Sequence, residues 1–320
     1  MKRWLCAAVA ALLFGGVQAQ TEVRLAVHKS FSLPKDAFEA FEKANDAKVS
    51  VIKAGSGNEM VNKLILSRAA PIADAVYGLD NTTILKAGQA GILAGDMVAV
   101  DFGYITLNYD KAWFAKQQLP LPKTLADLAE PQYRNLLAVP NPGMSTVGLG
   151  FLLANIEGLG EKAAFDWWAK MRANGVKVTK GWSEAYYTEF TQNGGTRPLV
   201  VSYATSPAAE VFYSKGKYSE PPTGNLHLKG GVFRQIEGAA VLKGAKQPVL
   251  AAKLAAYLRT PAVQKAVPSE MWVYPAVNGT PLPDAFRFVQ PPAATYNPSE
   301  QLIAKHQKRW VSRWIRTVLK

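Results

Sequence analysis

A short apolar strand, a polar turn and a helix follow one another three times in residues 20–90, and this order restricts the fold more than any other feature. The strands are predicted at 23–27, 49–52 and 73–77, with helices starting near Pro34, at Glu59 and at Thr82. Repeated strand–helix units produce a largely parallel sheet that binds ligands at the carboxyl ends of its strands. Three turns should therefore face one cleft: His28-Lys29-Ser30, Ser56-Gly57 and Leu79-Asp80-Asn81.

A second set of such units follows a long strand predicted at 98–109. Its strands are predicted at 137–140, 176–179 and 199–203, and its helices at 147–156, 184–191 and 207–213. The chain is expected to return through 231–241 and a helix at 248–259. Two α/β lobes joined by two strands are typical of binding proteins that close about a hinge. The predicted division is a signal peptide at 1–19, lobe I at 20–100 plus 240–320, and lobe II at 101–239.

The first nineteen residues have the pattern of a bacterial secretory signal peptide. Lys2 and Arg3 precede an apolar run, and Val17-Gln18-Ala19 provides a small-residue cleavage site. The only cysteine, Cys6, lies inside this segment, so the exported chain should contain no disulfide. These features predict a periplasmic protein.

The formal charge of +13 falls to +11 without Lys2 and Arg3, and one basic cluster occurs near the end of the chain. It contains Lys305, Lys308, Arg309, Arg313, Arg316 and Lys320. The cluster could bind nucleic acid, or it could be the solvated face of a helix. Apolar residues at helical spacing, including Trp310 and Trp314, favour the solvated face. We therefore predict that the protein has no nucleic-acid partner. We also predict that it is a monomer.

Two segments combine an aromatic residue with hydroxyl groups where a predicted strand passes into a helix. They are Lys180-Gly181-Trp182-Ser183-Glu184-Ala185-Tyr186 and Val201-Ser202-Tyr203-Ala204-Thr205-Ser206-Pro207. Free backbone N–H groups at helix starts, beside an aromatic face, suit a small, flat, partly polar ligand. Neither segment contains a catalytic nucleophile or base, and the chain has no Gly-x-Ser-x-Gly or P-loop motif. The pattern indicates a binding protein that is not an enzyme and needs no cofactor.

These two segments, together with four others, resemble the thiamine-binding periplasmic proteins of ABC importers. The other four are Gly78-Leu79-Asp80-Asn81, Asp101-Phe102-Gly103-Tyr104, Ser145-Thr146-Val147-Gly148-Leu149-Gly150 and Trp272-Val273-Tyr274-Pro275. The resemblance covers nearly the whole exported chain. It implies an α/β, two-lobe periplasmic binding protein type II fold, in which each lobe is a mainly parallel sheet flanked by helices and two strands form the hinge. It also implies delivery of thiamine to an ABC transporter permease in the inner membrane.

The resemblance assigns ligand contacts to Ser145, Thr146, Trp182 and the run Tyr203, Ala204, Thr205, Ser206 and Pro207. Three features depart from the family. Its acidic residue before the glycine of the second turn is Ser56 here, a first-turn tyrosine is His28, and the stretch between Ile92 and Val98 is shorter. Ser56 and Gly57 remain predicted contacts. The ligand could therefore be a relative of thiamine.

The permanent positive charge of thiamine calls for aromatic faces or a carboxylate. Trp182, Tyr203 and Trp272 are the candidate aromatic residues. Asp80 could complement the cation or could cap a helix. Helix starts favour anions, so Ser145-Thr146 and Ser206 should face the hydroxyl or phosphate end of the ligand.

The alternative ligands are ferric iron and an organic anion. Tyr186-Tyr187 is similar to the tyrosine pair of iron carriers with this fold, but it lies in a helical pattern without accompanying histidine or glutamate ligands. The three histidines of the chain show no zinc spacing, so no metal site is predicted.

Overall fold

The computed structural model describes residues 20–320, and the predicted signal peptide lies outside them. The strands are β1 Thr21–Val27, β2 Ala47–Lys53, β3 Ala75–Asp80, β4 Val98–Asp110, β5 Leu137–Pro140, β6 Lys177–Thr179, β7 Leu199–Tyr203, β8 Thr223–Leu226, β9 Phe233–Val241 and β10 Tyr274–Pro275. The helices are α1 Glu39–Asn45, α2 Gly57–Leu66, α3 Ile84–Gln89, α4 Lys111–Gln117, α5 Thr146–Leu159, α6 Glu161–Ala173, α7 Trp182–Glu184, α8 Ser206–Tyr213, α9 Pro248–Tyr257, α10 Pro261–Gln264, α11 Val267–Glu270 and α12 Glu300–Val318. None of these helices has both the length and the apolar character needed to cross a bilayer.

The strands described in residues 20–320 form one mixed sheet in the order β2-β1-β3-β9-β4-β7-β5-β6, and β8 and β10 also pair with β4. At one end of the sheet β1 runs parallel to β2 and β3, and at the other β5 runs parallel to β6 and β7. The central strands β4 and β9 are antiparallel to each other and to their other neighbours. Two parallel halves are thus joined through the long strands β4 and β9.

The first half is covered by helices on both faces, as its apolar strands require. Leu25 and Val27 of β1 point into a cluster with residues of α1 and α9. Between them, Ala26 points to the opposite face, where it packs with Met60 and Val61 of α2. The alternation follows from the two-residue period of a strand.

The second half packs against α5 and α6, whose buried faces carry large aromatic residues. The Trp168 ring lies edge-on to Phe151 and Trp314, with ring centroids 6.1 and 5.4 Å away. Because Trp314 belongs to α12, the C-terminal helix packs on this second half. The predicted division places all of residues 240–320 in lobe I, whereas the buried tryptophan of α12 packs with the core of the second half.

The basic side of α12 is partly neutralised. Arg309 and Arg313 both pair with Glu161 at the start of α6, at 2.6 and 3.2 Å. The helix thus combines a buried tryptophan stripe with a charged face.

Several element boundaries differ from the sequence expectation, and two of them bear on the loops near the cleft. The helix expected near Pro34 begins at Glu39, because the preceding residues form i→i+3 turns such as Ala37 N–H to the Pro34 carbonyl. The segment expected as the turn Gly78-Leu79-Asp80-Asn81 continues β3 as far as Asp80. A positive φ of 100° at Gly78 allows the pairing with β9 to shift there without ending the strand.

Candidate ligand-binding cleft

A cavity of about 750 Å³ lies between the carboxyl ends of strands from the two halves of the sheet. A volume of this size is typical of small-molecule sites. Its lining comes from the turn after β1 and the starts of α2, α5, α7 and α8, with Trp272 and Val273 from the segment before β10. Every strand-to-helix turn predicted to bind ligand, except the one around Asp80, contributes to it.

One wall of the cavity is aromatic, and contacts within the protein fix the position of its Trp182 ring. The Trp182 ring stacks on Tyr186, with centroids 5.3 Å apart and planes 22° apart, and lies edge-on to Tyr187 and Tyr203. Its indole N–H donates to Ser202 Oγ at 2.7 Å. The indole N–H is thus bonded inside the protein, which leaves the ring to make apolar or cation–π contacts.

The helical segment that carries this wall is irregular. Helix α7 continues directly into a π-helical turn at Ala185–Glu189. The wider turn contains both Tyr186, which is buried, and Tyr187, which is 59% exposed. Tyr186 donates its hydroxyl to Glu210 of α8 at 2.8 Å. Burial and the nearby Glu210 raise the pKa of Tyr186 well above its usual range, so this hydroxyl stays a donor.

Trp272 provides another aromatic ring to the cavity lining, and its backbone has an unusual conformation. Its φ is 55°, in the left-handed region that bulky residues rarely adopt. Two hydrogen bonds hold it: the Thr205 hydroxyl donates to the Trp272 carbonyl, and the indole N–H donates to the Tyr213 hydroxyl at 3.0 Å. On one side the ring stacks on Phe286 with an interplanar angle of 12°. Such over-determined strain is common at functional sites.

Helix starts meet at the cavity from both halves of the sheet. Ser145 caps α5 by accepting the Gly148 N–H at 3.4 Å, and the Thr146 hydroxyl accepts from Gln235 at 3.2 Å. The start of α2 approaches α5 so closely that a Cβ added to Gly57 would lie 2.5 Å from Thr146 Oγ1. Gly57 is thus required by this close approach.

Further contacts join the turns across the cleft. Asn58 Nδ2 donates to the Pro142 carbonyl at 3.0 Å, and the Glu59 N–H donates to the Met144 carbonyl at 3.3 Å. Near the rim, the hydroxyls of Ser30 and Ser183 are 3.2 Å apart. In this structure the two sides of the cleft are therefore in contact.

The cavity lining is acidic. Five carboxylates and two lysines face it, a formal excess of three negative charges when His28 is neutral. These residues are Glu59, Glu184, Glu210, Glu237 and Glu270, with Lys29 and Lys180. Burial raises the pKa of Glu210, whereas the hydrogen bond from Tyr186 favours its ionised form. A cavity with aromatic faces and excess negative charge suits a flat cation.

The family of bacterial extracellular solute-binding proteins matches residues 78–297, more than half of the chain. The chain belongs to that family. It is 32% identical to the thiamine-binding periplasmic protein of Salmonella typhimurium over 302 residues, covering 87% of this chain and 86% of the relative. Among solved structures, a periplasmic thiamin binding protein superposes with a TM-score of 0.84 at 29% identity, covering 95% of this chain and 98% of that one.

A more distant structure, iron-bound HitA from Pseudomonas aeruginosa, superposes with a TM-score of 0.72 at 19% identity, covering 93% of this chain and 99% of that one, and shows a shared fold alone. These comparisons confirm the type II periplasmic-binding fold and the resemblance that the motifs indicated. Solute-binding proteins are a class of carrier and not a class of enzyme.

Most of the residues predicted to bind ligand line the cavity of this solute-binding protein. They are Ser56, Gly57, Ser145, Thr146, Trp182, Tyr203, Thr205, Ser206 and Trp272. Three others do not line it: Ala204 and Pro207 are buried behind the surface, and Asp80 is fully buried. The Ala204 N–H bonds to the Tyr104 carbonyl at 2.8 Å, so this residue holds β7 in the sheet.

Asp80 was predicted either to complement a cationic ligand or to cap a helix, and its hydrogen bonds agree with the second role. Its carboxylate accepts four hydrogen bonds, two from Thr82 and one each from Thr83 and Gln235, and all four are shorter than 3.0 Å. It therefore stabilises the turn before α3 and does not face the cavity. Burial raises the pKa of Asp80, and these hydrogen bonds oppose that effect.

The sequence reasoning missed Glu237 of β9 as a residue of the cavity lining. In the run Phe233–Val241, Gln235 and Glu237 occupy alternate positions of a strand that is otherwise mostly apolar. A charged residue in a buried strand is uncommon unless it has a partner or a function, and this signal could have identified Glu237.

Proposed function

We propose that this solute-binding protein captures thiamine, or a phosphate ester of thiamine, and delivers it to the permease of an ABC importer in the inner membrane. The observation that carries the proposal is the combination of aromatic faces with excess negative charge in one cavity. Relatives named thiamine-binding periplasmic protein support it. Export to the periplasm through the segment 1–19 is part of the proposal.

The thiazolium ring of thiamine is cationic at every pH, so the protein must stabilise its charge without the help of deprotonation. A cation over an indole or phenol ring gains about 0.5–2 kcal/mol, with the larger value for desolvated pairs. Trp182 and Tyr203 supply such rings at one wall, and Trp272 supplies a third. The carboxylates of the lining add electrostatic attraction.

The other end of the ligand carries a hydroxyl group or a phosphate. Helices α2, α5 and α8 all begin at the cavity, and helix starts present N–H donors and a partial positive charge. We place the hydroxyethyl arm, or its phosphate, near Ser145, Thr146 and Ser206. A phosphate ester then meets donors without displacing the cation from the aromatic wall.

Closure of the two lobes belongs to the same proposal. The cavity takes residues from both halves of the sheet, and the long strands β4 and β9 connect those halves. A ligand that contacts both sides favours the closed arrangement, which a permease can distinguish from an open one. Small-angle scattering should show a smaller radius of gyration with saturating thiamine.

Titration of tryptophan fluorescence tests the proposal directly. Saturable quenching is expected at micromolar thiamine or below, because Trp182 and Trp272 lie in the cavity wall. Trp182→Phe should reduce the signal, whereas Trp168→Phe, in the core, should leave it unchanged. Emission that stays flat up to millimolar thiamine and thiamine monophosphate, with no heat of binding by calorimetry, would contradict the proposed ligand.

A further inference from the structure

Three carboxyl groups lie side by side on neighbouring strands beneath the cavity. In the strand register Asp80 of β3 faces Glu237 of β9, and Glu237 faces Asp101 of β4. Residues directly opposite in antiparallel strands point to the same face, with Cβ atoms about 5 Å apart. All three are buried, with exposed fractions of 0%, 7% and 0% in that order.

Such a row cannot readily hold three negative charges, because like charges at this distance and depth repel strongly. Asp80 is stabilised by four hydrogen bonds to its carboxylate. Asp101 is not so well supported: Tyr77 donates to one oxygen, and the other has no hydrogen-bond partner. Burial and the neighbouring Glu237 raise the pKa of Asp101 well above its usual range. Glu237 is the middle member of the row and the only one of the three that is not fully buried.

Glu237 is the member of the row that faces the cavity. Its other titratable neighbours are Tyr77, Tyr203 and His28, and no lysine or arginine of residues 20–320 pairs with it within 4 Å. The His28 Nε2 atom is 3.6 Å from the Glu237 carboxylate and has no hydrogen-bond partner. A nearly buried carboxylate without a lysine or arginine partner is costly to hold. A cationic ligand would provide that partner.

We infer that Glu237 is the residue that selects a permanently cationic ligand, because it is the one carboxylate of the row that faces the cavity. The inference rests on the proposed function, since thiamine is the cation considered. It places the thiazolium ring near Glu237 and within reach of Tyr203, whose hydroxyl is held by Gln235 at 2.6 Å. Of the two roles considered for Asp80, complementing the cation is assigned here to Glu237.

The test compares thiamine with thiochrome, which retains both ring systems of thiamine but has no charge. Glu237→Gln should lower the affinity for thiamine roughly tenfold or more, because the charge pair is lost. Affinity for thiochrome should change by less than about twofold, since neutral contacts remain. Glu237→Asp, which keeps a carboxylate, should retain more thiamine affinity than Glu237→Gln.

Controls separate this inference from the proposed function. Glu39→Gln removes a carboxylate that is exposed on α1 and should leave both affinities unchanged. Wild-type protein without saturable thiamine binding would contradict the proposed function itself. If the wild-type protein binds thiamine, two results would overturn the role of Glu237. One is an unchanged thiamine affinity in Glu237→Gln, and the other is an equal loss of affinity for thiamine and for thiochrome. Melting temperatures of each variant identify losses that come from misfolding.

Discussion

The aromatic wall faces the cavity, whereas the carboxyl row lies beneath it and presents only Glu237 to it, and the two have opposite relations to stability. Trp182 stacks on Tyr186, bonds to Ser202 and lies against a packed core, so the contacts that position it also stabilise the fold. The row Asp80–Glu237–Asp101 places charge where burial disfavours it. The wall is thus built from favourable packing, whereas the row holds an unfavourable arrangement that a cation can relieve.

Substitutions in the wall and in the row should therefore differ in their effects on ligand affinity and on protein stability. Truncation in the wall should cost affinity. Neutralisation in the row should gain stability while it weakens the preference for a cation. A trade of stability for function of this kind is common at binding sites.

The largest expected effect concerns a tryptophan in the core of the second half, which is not part of the aromatic wall. Trp168 is 1% exposed among Phe151, Trp167 and Trp314. Trp168→Ala should lower the free energy of unfolding by about 3–5 kcal/mol, the usual cost of such a cavity. Chemical denaturation measures it. Thiamine affinity of the folded variant should remain near that of wild type, and a parallel loss of affinity would show that core and wall act as one unit.

Trp182→Ala should act on binding. Loss of the stacked, cation-binding ring should weaken thiamine binding by about 1–3 kcal/mol, measured by calorimetry. The ring is only partly buried, so the free energy of unfolding without ligand should fall less than for Trp168→Ala. A variant that loses most of its stability while keeping its affinity would place Trp182 in the core and not in the site.

Gly57→Ala probes the contact between the two sides of the cleft. Its Cβ would overlap Thr146, so the closed arrangement should become less favourable by about 1–3 kcal/mol and thiamine affinity should fall accordingly. Scattering should then show a larger radius of gyration in the presence of ligand. The control is Gly88→Ala on α3, where an added Cβ meets no atom within 4 Å. It should leave binding unchanged and raise stability by up to about 1 kcal/mol.

Asp101→Asn is the smallest change and tests the row. The raised pKa of Asp101 means that its contribution to stability is complete below the pKa of an unfolded aspartate, about 4, and is lost as the pH rises toward the folded value. An amide does not ionise. The stability of the variant relative to wild type should therefore increase as the pH rises from about 4, as followed by thermal melts. Asp96→Asn, at an exposed position, should show no such trend.

Much of the wall could be predicted from the sequence, because its elements follow local rules. Strands β5 and β7 have the predicted bounds, and α5 and α8 begin within one residue of the expected positions. Apolar runs, polar turns and capping residues report on neighbours a few residues away. The sequence pattern predicts an ordinary helix at Ala185–Glu189, because a π-helical turn has the same composition.

The row could not be predicted, because it depends on pairing between strands far apart in the chain. Asp80 and Glu237 are 157 residues apart in sequence and meet only through the register of β3 with β9. The run Gly78-Leu79-Asp80-Asn81 has the composition of a turn, yet pairing with β9 keeps it in a strand up to Asp80. The position of α12 has the same cause, since its tryptophans identify a buried face but not its partner.

The placement of α12 has a mechanical consequence. After β10 pairs with β4, the chain runs beside β9, where the Tyr296 N–H bonds to the Val232 carbonyl, and ends on the second half of the sheet. The polypeptide thus crosses between the halves three times, through β4, β9 and the segment 276–299. Two neighbouring connections, β4 and β9, would allow the halves to bend and also to twist relative to each other. A third connection resists the twisting. Relative movement of the halves should then have close to one degree of freedom, so that each cycle of opening and closing returns the two halves to the same relative orientation.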